Sequence, residues 1–245
     1  GHLFGPSSLE AEDNLRRLDR TLADLLGFVD EKVGLKNTLI VLAADHGGPE
    51  PPPQLQEFGL EAEYVDPDTW DKEAGIARLK EEFGVGDELI RAFFAPYVYL
   101  NRTEIESRGL DPATVEEAVA AELMKFEGVS LAVSSTDLME GRVPDTPLTR
   151  SILHSHNPRR SGDVFVVFEP NWFINDFDGL EVAATHGSPW RYDTFVPVIF
   201  AGMDLEAQRV ARKIRTVDVA TTLAAFLGTQ RPSGASGDVL PEVVR

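Results

Sequence analysis

The sequence contains no cysteine, which excludes disulfides and thiolate metal sites and leaves histidine nitrogen and carboxylate oxygen as the donors for any zinc ion. Basic residues are scarce as well. Lys and Arg total 23 against 41 Asp and Glu, and the net charge of −18 repels the backbone of duplex nucleic acid, although a local metal centre can reverse that field within one cleft. No apolar run approaches the roughly 20 residues of a membrane-spanning helix. Only three methionines occur and the first is Met124, so Gly1 is not a translation start and the chain reads as a fragment or processed product. Any leader would lie upstream of it. What is present is an ordinary globular composition, 42% hydrophobic and 26% charged, in 245 residues, enough for one large domain or a core with an inserted subdomain.

Leu15, Leu18, Leu22, Leu25, Leu26, Val29 and Val33 recur at helical spacing between Ser7 or Ser8 and Gly34, which predicts a long amphipathic helix. It leads into Thr38 to Ala44, a short run apolar on both faces and bounded by a turn, as in a buried central strand of a parallel sheet. Pro49 to Pro53 then forms a stiff loop, and the polar, Glu-rich stretch to about Gly86 reads as an excursion over the rim of a site. Strands are expected at Tyr97 to Leu100, Val129 to Val133, Asp163 to Phe168 and Phe195 to Ala201. One helix is expected from the Asp111 cap and Pro112, carrying Val115, Ala118, Val119, Leu123 and Phe126, and another from Val217 to Leu227, stopped by Gly228. The predicted class is α/β: a mostly parallel sheet between helices, formed by residues 1–48 and 161–245, with an inserted α+β subdomain over 49–160. The amino-terminal part of that core is expected to be missing. A sheet deprived of strands leaves open edges and bare apolar faces, so the isolated chain is expected to be marginal or prone to aggregate.

Three of the five histidines, His2, His46 and His186, stand beside glycine in turn-like contexts, where the backbone can approach a ligand closely. Asp45 and His46 close the apolar run, where open α/β sheets hold their ligands. Successive strand residues point to opposite faces, so both can face one ion only if the strand has ended, and Gly47-Gly48 supplies that turn. An Asp buried at a strand end without a partner is costly, which favours a metal role. His154 and His156, in a loop before Pro158, read as surface or satisfied core residues.

Five stretches, in order along the chain, resemble the type I phosphodiesterase/nucleotide pyrophosphatase branch of the alkaline phosphatase superfamily, in particular its phosphate-irrepressible alkaline phosphatases. They are Gly1 to Pro6, Ala44 to Gly47, Arg160 to Asp163, Thr185 to Pro189 with Tyr192 to Thr194, and Val217 to Leu223. The resemblance implies two adjacent zinc ions, with His2 and His186 on one and Asp45 and His46 on the other. It also implies attack on phosphorus by a Thr or Ser hydroxyl to give a phospho-enzyme. That nucleophile, the first Asp of the Asp-x-x-Gly-His motif and the first Asp of the second metal site are expected upstream of Gly1, so no catalytic nucleophile is assigned here. Thr185 and Ser188 read as turn formers around His186. Asp193 is a candidate acceptor for the second ring N–H of His186. Arg159 and Arg160 read as part of a structural turn, and Phe195 stands where related sequences often carry histidine.

The implied parent is a zinc-dependent phosphatase of small phosphate monoesters, extracytoplasmic by resemblance, without duplex nucleic-acid binding and without a membrane span in this segment. The sequence leaves its oligomeric state open. A phosphodiesterase or nucleotide pyrophosphatase is the alternative, and sulfatase chemistry a more distant one. A catalytically inactive metal- or phosphate-binding module is the alternative of another class.

Overall fold

A computed structural model of the chain describes residues 1–86, 88–177 and 179–244. They form two compact units, one of residues 1–11 and 48–194, the other of residues 12–47 and 195 onward. The expected long helix is α1 (Leu9–Lys32). The Oγ of Ser8 accepts a hydrogen bond from the Ala11 N–H at 3.1 Å, and Gly34, at φ +89°, turns the chain after the last helical turn. Arg17 donates to Asp13 at 2.7 Å across one turn of the polar face. β1 (Leu39–Ala43) follows.

The first unit then runs through α2 (Pro52–Glu57), β2 (Glu63–Tyr64), α3 (Ala74–Phe83), β3 (Ile90–Phe94) and β4 (Tyr97–Leu100). It continues with α4 (Arg102–Ser107), α5 (Pro112–Leu123), β5 (Val129–Ser134), α6 (Ser135–Glu140) and α7 (Pro147–Ser155). It closes with β6 (Val164–Phe168), β7 (Trp172–Phe173), the short hairpin β8 (Asp176–Phe177) and β9 (Leu180–Glu181), and one turn of helix, α8 (Arg191–Thr194). Asp111 caps α5 as expected, its carboxylate accepting from the Thr114 N–H at 3.2 Å. The sheet β3-β4-β6-β5 buries Val98, Val164 and Val166 against Val115, Val119 and Leu123 of α5 in one apolar core.

Residues 49–86 contain α2, β2 and α3. Trp70 and Ile76 belong to the core, and Trp70 meets Phe93, Phe126 and Phe168 edge-on. The units also divide differently from the expected domains. β6 is the shared partner of β4 and β5, and that pairing ties the chain after residue 161 to the segment before it.

The second unit resumes with β10 (Val198–Gly202) and α9 (Asp218–Phe226). β10 pairs antiparallel with β1, Val41 opposite Phe200. The α/β class stands, but the strand pairs among the described residues are antiparallel except β2 with β7, where mostly parallel pairing was expected. An apolar run bounded by a turn specifies neither the direction of its neighbour nor its burial. β1 is in fact only half-buried, and its Leu42 is 48% exposed. Gly202 is required where it stands: at φ +84°, a Cβ there would lie 2.0 Å from the Thr38 carbonyl oxygen.

Candidate metal centre

His2 lies in a tight turn in which the Gly5 N–H donates to the Gly1 carbonyl at 2.7 Å. Gly5 has φ +87°, and a Cβ on it would meet Pro51 at 2.7 Å, which accounts for both the glycine and one of the loop prolines. The His2 carbonyl accepts from the N–H groups of Ala183 and Ala184, at 2.8 and 3.1 Å. The His2 ring returns the contact, with Nδ1 2.8 Å from the Ala184 carbonyl oxygen. A carbonyl can only accept, so Nδ1 carries a hydrogen, and in the neutral ring the lone pair is then on Nε2. The His2 and His186 rings lie 5.3 Å apart between centroids, and a ring nitrogen of each lies within 4.8 Å of the other's.

The loop bearing His186 is tied on both sides. Upstream, besides the bonds to His2, the Tyr64 hydroxyl donates to the Ala183 carbonyl at 2.9 Å. Burial, and then the nearby carboxylates of Glu63 and Glu181, raise the pKa of that phenol and keep it protonated. Downstream, Asp193 of α8 is buried, and its Oδ2 accepts from the Ser188 N–H at 2.8 Å and the Ser188 hydroxyl at 2.6 Å. Ser188 therefore is a turn former, and the expected carboxylate of this loop engages Ser188. Gly187, at φ +114°, supplies the bend.

In the other unit β1 ends at Ala43, two residues before Asp45, as facing both side chains toward one ion requires. The Asp45 Oδ1 accepts from the His46 N–H at 3.1 Å, and the His46 Nδ1 lies 2.7 Å from the Gly47 carbonyl oxygen. As in His2, that partner selects the tautomer of the neutral ring with the lone pair on Nε2. Asp45 Oδ2 and His46 Nε2 are 3.8 Å apart, close to the about 3.4 Å that separates two ligands of a tetrahedral zinc. The Asp45 side chain is 91% exposed, which removes the cost of burial as a reason for its presence.

Several of the other signalled residues have structural work. Asp163 accepts from the Leu100 N–H at 2.6 Å and the Arg102 Nε at 2.7 Å, and Arg102 also reaches the fully buried Glu116 at 2.6 Å. Arg159 and Arg160 are exposed beside this turn. Asp218 accepts from the N–H groups of Arg215 and Asp238, and Thr222 from that of Leu240, so the Val217 to Leu223 motif fastens the last segment of the chain. His154 is exposed. His156 packs on Tyr97, its Nδ1 3.3 Å from the phenol oxygen. Phe195 is 71% exposed. Tyr64 and Trp190, whose indole N–H donates to the Phe168 carbonyl at 3.0 Å, are loop supports that sequence reasoning missed. Their partners lie 119 and 22 residues away, and no local pattern marks them.

The family model of type I phosphodiesterase / nucleotide pyrophosphatase matches residues 1–189. A protein named calcium-transporting ATPase from Myroides odoratus is 32% identical over all of this chain and 44% of its own length. Alkaline phosphatase PafA from Elizabethkingia meningoseptica is 31% identical, again over all of this chain and 43% of its own. The crystal structure of wild-type alkaline phosphatase PafA superposes with a TM-score of 0.87 at 31% identity, covering 99% of this chain and 45% of that one. The chain thus spans less than half the length of the curated relatives it matches.

Proposed function

We propose, for a chain that belongs to the type I phosphodiesterase / nucleotide pyrophosphatase family, that it carries four ligands of a zinc-dependent phosphohydrolase, His2 and His186 for one ion and Asp45 and His46 for a second. The observation that carries this reading is the shared state of His2 and His46. Each commits Nδ1 to a backbone carbonyl and so presents Nε2 as the donor, the arrangement usual for ligating histidines. Zinc at such positions supplies Lewis-acid stabilisation of charge on a transferring phosphoryl group. The chain's own part is to hold the donors. Two backbone N–H groups aim His2, the strand end and Gly47 aim Asp45 and His46, and the tied loop aims His186. Ser188 donates its hydroxyl to a buried carboxylate, so the attacking hydroxyl that the family reading requires is not assigned to it.

The substrate of the whole protein is a phosphate monoester on this reading, because the relatives named above include an alkaline phosphatase. The whole protein then acts outside the cytoplasm, through a phospho-enzyme. The test is elemental analysis of zinc after exhaustive dialysis of the wild-type chain, His2→Ala/His186→Ala and Asp45→Ala/His46→Ala. Each double variant is expected to hold less zinc than the wild type. Zinc content that neither variant lowers would overturn the assignment.

A further inference from the structure

We propose that Asp193 is a positioning residue for His186 that acts through Ser188, so that the imidazole is aimed before any ion arrives. This rests on the reading of His186 as a ligand. Residues 182–190 have no regular secondary structure, yet the loop is fastened at two points close to the histidine. One fastening is the exchange between His2 and residues 183–184. The other is Ser188, whose N–H and hydroxyl both go to Asp193 Oδ2, and whose Oγ in turn accepts from the Trp190 N–H at 3.3 Å. Asp193 is fixed from behind as well, since its own N–H donates to the Trp190 carbonyl at 3.1 Å. Only Thr185, His186 and Gly187 lie between the fastenings. Because Gly187 is at φ +114° and opens backbone freedom that other residues lack, the downstream fastening narrows the orientations open to the histidine.

The choice of a carboxylate supports this role. Asp193 is 5% exposed, and burying a charge is costly unless its bonds repay it. Its Oδ1 is buried without a hydrogen bond from the described residues, so the whole return comes through Oδ2 and Ser188. Asn in its place can offer Ser188 one carbonyl oxygen, but it carries no charge to strengthen two convergent donors.

The experiment is cobalt(II) titration of the 245-residue chain, followed by the visible d–d bands, for wild type, Asp193→Asn, Ser188→Ala, Ser188→Thr and His186→Ala. Amide hydrogen exchange at Gly187 and Ser188 is measured on the same metal-free proteins. Asp193→Asn and Ser188→Ala are expected to weaken one cobalt site by about 10–100-fold, the usual loss when a ligand's supporting partner is removed. They should also speed exchange at those two amides, whereas Ser188→Thr, which keeps the hydroxyl, should restore both readouts. If His186→Ala abolishes a site while Asp193→Asn and Ser188→Ala bind as wild type does, the positioning role is overturned and the ligand assignment survives. If His186→Ala binds as wild type does, the ligand assignment falls and this inference falls with it.

Discussion

Helices α1 and α5 both carry apolar residues along one side, but they end in opposite conditions. In α5, in the unit of residues 1–11 and 48–194, Val115, Val119 and Leu123 are completely buried. In α1, almost all of it in the other unit, no residue is buried, and Leu15, Leu25 and Phe28 are each more than half exposed. β1 and β10 repeat the contrast, since Leu42 and Ile199 stay half exposed while the central strand β6 is buried along nearly its whole length. Periodicity thus determines which side of an element is apolar and says nothing of what covers it. The first unit owes its stability to tertiary packing. The second leans on the β1–β10 pairing, on the fastening of its last segment by Asp218 and Thr222, and on the weak intrahelical ion pairs of α1.

The largest effect that sharpens this contrast is expected from Leu123→Ala set against Leu25→Ala. The first removes a fully buried side chain from the α5 core and should cost about 3 kcal/mol, within the usual range for such cavities. The second truncates a side chain that is 53% exposed and should cost less than about 1 kcal/mol. Urea denaturation followed by far-ultraviolet circular dichroism measures both. Equal costs would mean that the leucines of α1 are packed in solution and that the contrast is not a property of the free chain.

Elements with a long period or an explicit cap were legible in the sequence. α5 begins at the residue that Asp111 and Pro112 specify, and β4 covers the expected residues. α3 is hard to read from sequence, although Ile76, Leu79 and Phe83 stand at helical spacing before Gly84, because charged residues surround them. Strands of two residues such as β2 and β7 have no period to read. In the candidate centre, the strand end before Asp45-His46 was legible because an apolar run stops at paired glycines. The sequence marked Ser188 as a turn former and paired Asp193 with His186, so the Asp193–Ser188 exchange over five residues was only partly legible, and the tie from Tyr64 to Ala183, across 119 residues, was not.

A smaller effect is expected from α1 itself. Replacing Leu15, Leu25 and Phe28 together by Glu should leave the unfolding free energy of the first unit almost unchanged, within about 0.5 kcal/mol, because none of the three is buried or part of that unit. The same change should abolish self-association at tens of micromolar, which contiguous exposed apolar surface favours. Sedimentation velocity across a concentration series distinguishes the outcomes. A wild-type chain that stays monomeric throughout would show that the exposed stripe is not sticky, and would remove the expectation that this chain aggregates.

The smallest expected effect concerns pH and belongs to the packed unit alone. Burial lowers the pKa of His156 below its ordinary 6.5, against a weaker opposing pull from Glu116, so the folded chain binds the proton less readily than the unfolded chain does. Between the unfolded pKa and the lower folded one, the unfolded state therefore carries more protons, and stability must fall as pH falls through that window. The loss is complete below the folded pKa and absent above about pH 7, where the ring is neutral in both states. Tyr97 adds nothing to this slope, because burial raises its phenol pKa above 10, well outside the window. Urea midpoints measured from pH 7.5 to 5 should decline less steeply for His156→Gln, which keeps a polar group beside Tyr97 and cannot titrate. Parallel declines in the two proteins would show that other groups, and not the half-buried imidazole of the packed unit, set its acid sensitivity.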